Sequence, residues 1–203
     1  KNSLAVLKKT EALLEGHFIL SSGLHSSKYV QCAKLLSYPK KSENFCKSLS
    51  YKIKKKLKKI DLILSPAMGG ILIGYIVGRF INKETIFCER VNGTFTLRRG
   101  FSIKKNSNVL IVEDVITTGK SSLECAKLVK QFKSKVVGYA CLIDRSNKKS
   151  LKIKNKKIIS QIKLEIPTYN KKNIPDKLKK IPVTKPGSRF LKWVHDLVLM
   201  LIT

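Results

Sequence analysis

The chain has 203 residues, and its 42 lysines and arginines against 13 acidic residues give a formal net charge of +29. This length suits one α/β domain with additions at its ends. No apolar run approaches the ~20 residues of a membrane-spanning helix and charge interrupts the N-terminus early, so we expect neither a membrane protein nor a signal peptide. Lysine is spread evenly without interleaved aromatic residues, which argues against a specific nucleic-acid partner.

Cysteine and histidine usage bears on the compartment and on metal binding. The five cysteines are widely spaced and none forms a C-x-x-C pair, which is typical of reduced thiols in the cytoplasm. The three histidines have no metal-ligand spacing. The sequence therefore predicts a cytoplasmic protein whose own side chains build no metal cage.

The N-terminal region predicts a helix, a hairpin and a second helix. The first helix carries an apolar stripe from Leu4 to Leu14 and is expected to end at Gly16. Turn-forming residues within 17–31 then predict a hairpin-like segment. The second helix is expected to be capped by Ser42. Its apolar stripe consists of Phe45, Leu49, Ile53 and Leu57.

The central region alternates buried strands with amphipathic helices. The expected strands span residues 61–65, 85–89, 109–112, 136–143 and 158–166. This alternation predicts an α/β fold with a mainly parallel central sheet flanked by helices. We expect a mobile lysine-rich loop at 146–157 and a C-terminal helix at 189–202. The predicted division is an N-terminal helix and small hood in 1–40, a core in 41–166 and an extension packing on the core in 167–203.

Residues 109–121 carry the most informative motif of the chain. A buried strand ends at two carboxylates, Glu113 and Asp114, and a hydroxyl-rich turn from Thr117 to Ser121 opens a helix. Backbone N–H groups of such a turn, together with the helix dipole, bind a phosphate dianion. The carboxylates can accept hydrogen bonds from vicinal ribose hydroxyls or hold a hydrated cation. The combination predicts a sugar-phosphate site.

Two simpler interpretations compete with this one. Gly119-Lys120-Ser121 matches the end of a Walker A loop, but that motif requires glycine at position 114, where the carboxylate would repel a triphosphate. An ordinary strand-to-helix turn, with Thr and Ser as caps, is the second alternative. The adjoining acidic pair favours the sugar-phosphate site over both.

Polar segments also follow the other predicted strands, at 66–70, 89–100 and 144–145, and we expect 90–100 to be a loop. The carboxyl ends of parallel strands share one edge of a sheet, and ligands bind at that edge. The arginines in these segments are Arg90, Arg98, Arg99 and Arg145. Because arginine holds phosphates and carboxylates bidentately, we interpret these positions as candidate ligand contacts in a chain otherwise dominated by lysine.

Several segments together resemble one enzyme family. Residues 109–121 resemble the 5-phosphoribosyl 1-diphosphate (PRPP) signature of the type I phosphoribosyltransferases. The segments that resemble orotate phosphoribosyltransferases, in their shorter bacterial branch, are 16–26, 65–71, 97–101, 141–146 and 185–189. The resemblance covers nearly the whole chain. It departs from many members at Ser21, where they carry lysine, and in 173–177, which lacks a cysteine pair.

The resemblance implies phosphoribosyl transfer from PRPP to orotate in pyrimidine biosynthesis, with Mg²⁺ carried in by PRPP near the acidic pair rather than by direct protein ligands. The implied catalytic residues are Glu113, Asp114, Arg98 and Arg99. The implied PRPP contacts are Ala67, Met68, Gly69, Gly70, Arg90, Glu113, Asp114, Val115, Ile116, Thr117, Thr118, Gly119, Lys120 and Ser121. The implied orotate contacts are Ser22, Gly23, Thr117 and Arg145. It also implies a homodimer in which Arg90, Arg98 and Arg99 form a lid shared across subunits.

Two other functions remain open at the level of sequence. A purine or uracil phosphoribosyltransferase shares the signature, but its neutral base needs no carboxylate partner, so Arg145 and the hood argue against it. A non-catalytic PRPP-sensing regulator of the same fold is slightly favoured by the basic charge. The lid arginines and the acidic pair argue against that regulator.

Overall fold

A computed structural model describes residues 3–20, 22–146, 151–153 and 158–186 of the chain. The chain divides into two compact units, one spanning Cys32–Glu165 and the other combining Lys1–Gln31 with Ile166–Thr203. The three-part division predicted from the sequence stays a prediction.

Strands and helices alternate through the larger unit, as the sequence predicts. The strands of the described residues are β1 Leu13–Ile19, β2 His25–Val30, β3 Leu62–Pro66, β4 Glu84–Val91, β5 Thr94–Thr96, β6 Asn108–Ile116, β7 Lys135–Asp144, β8 Ile158–Lys163, β9 Thr168–Tyr169 and β10 Val183–Thr184. The α-helices are α1 Ser3–Lys9, α2 Cys32–Leu36, α3 Pro39–Lys56, α4 Gly69–Ile81, α5 Lys120–Gln131 and α6 Asp176–Lys179, and a 3₁₀ turn spans Lys171–Asn173.

The larger unit is built on a six-stranded sheet in the order β5-β4-β3-β6-β7-β8. Its neighbouring strands are parallel except for β5, which runs antiparallel to β4. The central strands are apolar because helices cover both faces of a parallel sheet, and Leu64, Leu110 and Leu142 are fully buried. The predicted α/β fold with a mainly parallel sheet is confirmed. The carboxyl ends of β3, β6 and β7 therefore share one edge.

The C-terminal part of this sheet is only partly described. The strand predicted at 158–166 is present as β8, which ends at Lys163. Of the loop predicted at 146–157, the structure describes Ser146 and 151–153, and the helix predicted at 189–202 lies outside the described residues. Among the described helices, none is long and apolar enough to cross a membrane.

The N-terminal helix is shorter than the sequence predicts. It ends at Lys9, well before Gly16, and Leu14 lies in β1. Glu11 has a left-handed backbone with φ 55°, and the following N–H donates to the Leu7 carbonyl at 2.9 Å. One left-handed residue suffices to close a helix in this way. The prediction was wrong because leucines at this spacing fit a helix as well as a helix followed by a strand.

Ser42 does not cap the second predicted helix. That helix, α3, begins at Pro39, whose fixed φ suits a first turn. The Ser42 hydroxyl lies inside the helix and donates to the carbonyls of Tyr38 and Pro39 at 3.1 and 3.0 Å. The buried members of the predicted stripe are Phe45, Leu49 and Ile53. Leu57 follows the last turn with an extended backbone.

The segment predicted as a loop at 90–100 contains a strand pair. Strand β4 continues to Val91, and β5 returns antiparallel to it. Asn92 and Gly93 connect the two strands with φ 48° and 81°. Two consecutive residues with positive φ are typical of a type I′ hairpin turn, for which Asn-Gly is a preferred sequence. The prediction of a plain loop was wrong, although this pair signalled the hairpin.

The smaller unit holds a four-stranded sheet in the order β10-β1-β2-β9. Strands β1 and β2 form the predicted hairpin, while β10 runs parallel to β1 and β9 antiparallel to β2. His17 and His25 are buried in this unit, with Nε2 of His17 2.7 Å from Nδ1 of His25. The sequence did not predict β9 and β10, since strands of two residues carry no periodicity.

Candidate active site

The two carboxylates of the signature lie inside β6, which continues to Ile116. Because successive side chains of a strand point to opposite faces, Glu113 and Asp114 project to different sides of the sheet. Glu113 is 7% exposed and accepts a hydrogen bond from the Ser122 hydroxyl of α5. Asp114 is partly exposed, and its Oδ1 accepts the Val115 N–H at 2.9 Å. The acidic pair is therefore split between two environments.

The start of α4 lies against Asp114. A Cβ atom added to Gly69 would lie 2.6 Å from Asp114 Oδ2, and one on Gly70 would lie 3.1 Å from the Val112 carbonyl oxygen. Glycine is therefore required for the helix to approach β6 this closely. The N-terminus of a helix favours negative charge, so α4 presents a site for an anion beside this carboxylate.

The loop between β3 and α4 contains the other two residues predicted to face the diphosphate. The Ala67 N–H donates to the Cys88 carbonyl at 2.8 Å, which ties the loop to β4. The Met68 side chain is 82% exposed. The peptide bond between these two loop residues is cis. The structure thus places the loop at the edge where β6 carries its carboxylates.

The turn that opens α5 is held by its own backbone and by a neighbouring segment. Gly119 has φ 72° and precedes the first helical residue. The Thr118 carbonyl accepts the Lys152 N–H at 2.9 Å. A Cβ atom on Gly119 would lie 2.7 Å from Ile153 Cδ1. The sequence predicted only a mobile loop around 151–153, and it missed this packing because two apolar residues among lysines, Leu151 and Ile153, are too few to form a pattern.

Burial changes the acidity of both carboxyl groups. It raises the pKa of Glu113 from its ordinary 4.5 to about 7, although the Ser122 hydrogen bond opposes the shift. The charges of Asp114 and Glu124 raise this pKa further. Burial also raises the pKa of Asp114, while the Val115 N–H opposes that shift. Glu113 therefore exchanges a proton close to neutral pH.

Two of the three predicted lid arginines are bound to acidic side chains. Arg90 donates to Glu124 Oε2 at 2.5 Å and lies over the Phe95 ring, 4.1 Å from its centroid. Arg99 donates to both carboxylate oxygens of Glu89, at 3.2 and 3.1 Å. Arg98 is exposed. These three arginines therefore lie on or next to the β4–β5 hairpin, and their contact with PRPP stays a prediction.

The residues predicted to bind orotate fall in both units. The Arg145 N–H donates to the Ile116 carbonyl at 2.8 Å, so Arg145 follows β7 beside Thr117. The Asp144 carboxylate accepts the Ser146 N–H at 2.8 Å and shapes this turn. Ser22 and Gly23 lie in the turn between β1 and β2 of the smaller unit. The structure thus brings Thr117 and Arg145 together within the larger unit. The orotate contacts of Ser22 and Gly23 stay a prediction.

The donor set at this edge suits Mg²⁺, which prefers oxygen ligands and keeps several of its waters. The partly exposed carboxylate of Asp114 supplies such oxygens beside the start of α4. Within the described ranges, no group of three or more His, Cys, Asp and Glu side chains is arranged to hold a metal ion. The residues present fit a hydrated Mg²⁺.

Comparison with known proteins agrees with this geometry. The sequence model of one protein family, the phosphoribosyl transferase domain, matches residues 38–174. A curated orotate phosphoribosyltransferase from Rhizorhabdus wittichii is 44% identical over 187 residues, which cover 92% of this chain and 94% of that protein.

Two crystal structures share the fold at lower identity. The orotate phosphoribosyltransferase of Aeropyrum pernix has a TM-score of 0.66 and 24% identity, covering 79% of this chain and 93% of that one. The adenine phosphoribosyltransferase of Thermoanaerobacter pseudethanolicus has a TM-score of 0.56 and 21% identity, covering 68% and 88%. These structural similarities establish the fold, and the relative at 44% sequence identity identifies the family. The chain therefore belongs to the orotate phosphoribosyltransferase family within the type I phosphoribosyltransferases.

Proposed function

We propose that the chain transfers the 5-phosphoribosyl group of PRPP to orotate, giving orotidine 5′-monophosphate and pyrophosphate in UMP biosynthesis. One observation supports the binding of PRPP most strongly. The N-termini of α4 and α5 both reach the acidic pair, through Gly69 beside Asp114 and Ser122 bonded to Glu113. Two anion-favouring helix ends that flank carboxylates suit a ligand with phosphates at both ends and a ribose between them.

Each segment then has a role in binding and orientation. The turn from Thr117 to Ser121 binds the 5′-phosphate through its backbone N–H groups, and the loop 67–70 binds the diphosphate. The carboxylates orient the ribose hydroxyls and stabilise positive charge that develops at C1 in the transition state. Asp114 would lie beside a hydrated Mg²⁺, and the ion would supply positive charge to neutralise the diphosphate. The arginines of the hairpin close over the leaving group and exclude water.

Orotate selection is proposed to depend on its carboxylate. Arg145 follows β7 beside Thr117, at the same edge of the sheet as the phosphate turn. A guanidinium forms a bidentate, charge-assisted pair with a carboxylate, which neutral uracil and adenine cannot offer. Ser22 and Gly23 remain proposed orotate contacts on the resemblance to the family. The relative from Rhizorhabdus wittichii, named for orotate, supports this choice of base.

The direct test is consumption of orotate by the purified chain. Loss of orotate absorbance on addition of PRPP and Mg²⁺, with release of pyrophosphate, is the expected result. Uracil, adenine and hypoxanthine at equal concentration should give rates at least about a hundredfold lower, since none offers a carboxylate. Turnover of adenine or uracil without orotate turnover would contradict the proposal.

We also propose a cytoplasmic homodimer in which each lid serves the neighbouring subunit. Helix α4 and the loop before it expose an apolar stripe next to the diphosphate loop, formed by Met68, Leu72 and Tyr75 at 82%, 54% and 66% exposure. All five cysteines are free thiols, as in a reducing compartment. A self-complementary stripe of this kind suits a two-fold contact.

Mixing inactive subunits tests the shared lid. An Arg98→Ala/Arg99→Ala chain refolded with an Asp114→Asn chain should regain one good site per heterodimer, and up to about a quarter of wild-type activity if a 1:1 mixture assorts randomly. A mixture with no more activity than either parent would show that each site uses the arginines of its own chain.

A further inference from the structure

Ser122 is a fully buried hydroxyl to which the proposed roles assign nothing. It lies in the first turn of α5 and donates to the Glu113 carboxylate of the adjacent strand β6. Among the described residues, no other side chain donates a hydrogen bond to Glu113. One hydroxyl therefore holds a buried carboxylate at the centre of the site.

Other buried serines of helices in this chain behave differently. The Ser50 hydroxyl donates to the Cys46 carbonyl at 2.7 Å, one turn back in α3, and that of Ser42 also bonds within its helix. Such local bonds are the usual arrangement for serine inside a helix. Ser122 instead bonds across to a strand, to a residue of the signature. Its contact is therefore specific to Glu113 rather than a general property of helical serine.

Among the residues that the structure describes, Ser122 has no equivalent as a second anchor for the Glu113 carboxylate. Cys125, Tyr139 and Cys141 lie near enough for the charge of Glu113 to act on them. A thiol is a weak hydrogen-bond donor, and the Tyr139 hydroxyl makes no hydrogen bond to Glu113 in the structure. Without the Ser122 hydroxyl, a buried carboxylate would lose its side-chain donor, and such a group reorients toward other donors or water.

We propose that Ser122 is a positioning residue that fixes the Glu113 carboxylate in the orientation required for ribosyl transfer. The inference rests on the proposed function and deepens it. In this arrangement Ser122 holds Glu113 on the side of α5, while Asp114 remains beside α4, so the two carboxylates act on the ribose from separate anchors. Misplacing one of them affects the transition state more than the binding of PRPP, because charge at C1 develops only during the reaction.

The test is a set of variants assayed by steady-state kinetics with PRPP, Mg²⁺ and orotate. Ser122→Ala should lower kcat by about tenfold or more while the KM values for both substrates change less than about threefold. Ser50→Ala removes a buried helical hydroxyl away from the site and is the matched control. It should leave kcat within about twofold of wild type, with a similar loss of thermal stability.

A double-variant cycle separates positioning from a general loss of packing. Glu113→Asp withdraws the carboxylate from Ser122 by one methylene and keeps its charge. In that background, Ser122→Ala should lower kcat by less than about twofold, because the bond is already broken. Equal losses of kcat in both backgrounds, an unchanged kcat in Ser122→Ala, or full activity in Glu113→Asp would each overturn the inference. Failure of the wild-type chain to consume orotate would instead count against the proposed function.

Discussion

The signature segment 109–121 and the β4–β5 hairpin both carry residues predicted to bind PRPP, yet they are held in different ways. In the signature segment, main-chain pairing on both sides of β6, a buried serine and a closely packed glycine fix the carboxylates. In the hairpin, the arginines are held by exposed ion pairs. The Arg99 side chain is 60% exposed and that of Arg90 39%.

The difference indicates which part of the site is formed before substrate arrives. Exposed ion pairs contribute only about 0–1 kcal/mol, so phosphate can displace Glu89 and Glu124 from the arginines at little cost. The main chain that carries the carboxylates of β6 is paired on both sides and cannot move without breaking the sheet. We infer that Glu113, Asp114 and the turn that follows them form a preformed floor that binds PRPP. The arginines of the hairpin region, Arg90, Arg98 and Arg99, form a loosely held lid that acts in turnover.

The largest expected effect comes from removing charge from the floor. Glu113→Gln combined with Asp114→Asn should lower kcat at least about a hundredfold, because charge that stabilises the ribosyl cation is lost. Folding should be retained, since both replacements keep the shape of the side chains. Steady-state rates and a melting curve check this. Wild-type rates with normal melting would remove these residues from the mechanism.

Stability against pH tests the burial of Glu113. Its pKa of about 7 in the folded chain exceeds the ordinary 4.5, so the folded state keeps a proton that the unfolded state loses, and stability falls as pH rises from 4.5 through 7. Glu113→Gln cannot ionise. Above pH 8 it should be more stable than wild type by about 3 kcal/mol, with little difference near pH 4.

Urea unfolding of both proteins at pH 4 and pH 8 measures this difference, and other titrating groups largely cancel in the comparison. If the gap between the two proteins did not change with pH, Glu113 would not be buried in the way described.

Base choice should depend on Arg145. Arg145→Ala should raise the KM for orotate by about ten- to a hundredfold, the cost of a lost charge-assisted pair of roughly 1.5–3 kcal/mol. The KM for PRPP should change little, because other segments bind its phosphates. Arg79→Ala, which removes an exposed arginine of α4 paired to Glu43, is the control. A parallel rise in both KM values would assign Arg145 to phosphate binding or to structure.

The smallest expected effect comes from releasing a lid arginine. Glu89→Gln removes the partner of Arg99, and kcat should rise by up to about threefold with the KM for PRPP unchanged, because the lid acts in turnover. Glu43→Gln breaks a similar exposed pair with Arg79 and should change neither value. A tenfold loss of activity in Glu89→Gln alone would mean that the ion pair belongs to the working site.

The two regions also differ in how far the sequence predicted them. The signature was found because strand, acidic pair and turn are contiguous, and β6 confirms the strand and α5 the helix. Glu113 and Asp114 point to opposite faces because side chains alternate along a strand. The sequence did not predict this because the strand was expected to end at residue 112, before both carboxylates. The bond from Ser122 and the packing of Ile153 join distant positions and leave no periodic trace. In the hairpin, the pair Asn92-Gly93 is a local signal for a tight turn between two strands, which the prediction of a loop overlooked.

Binding of PRPP without orotate tests the distinction between floor and lid most directly. Calorimetric titration with PRPP and Mg²⁺ should show an affinity for Arg98→Ala/Arg99→Ala within about threefold of wild type, since exposed arginines add little to a preformed site. Asp114→Asn should bind at least about tenfold more weakly, because it loses a charge-assisted contact in the floor. An arginine variant that loses as much PRPP affinity as Asp114→Asn would contradict the preformed floor.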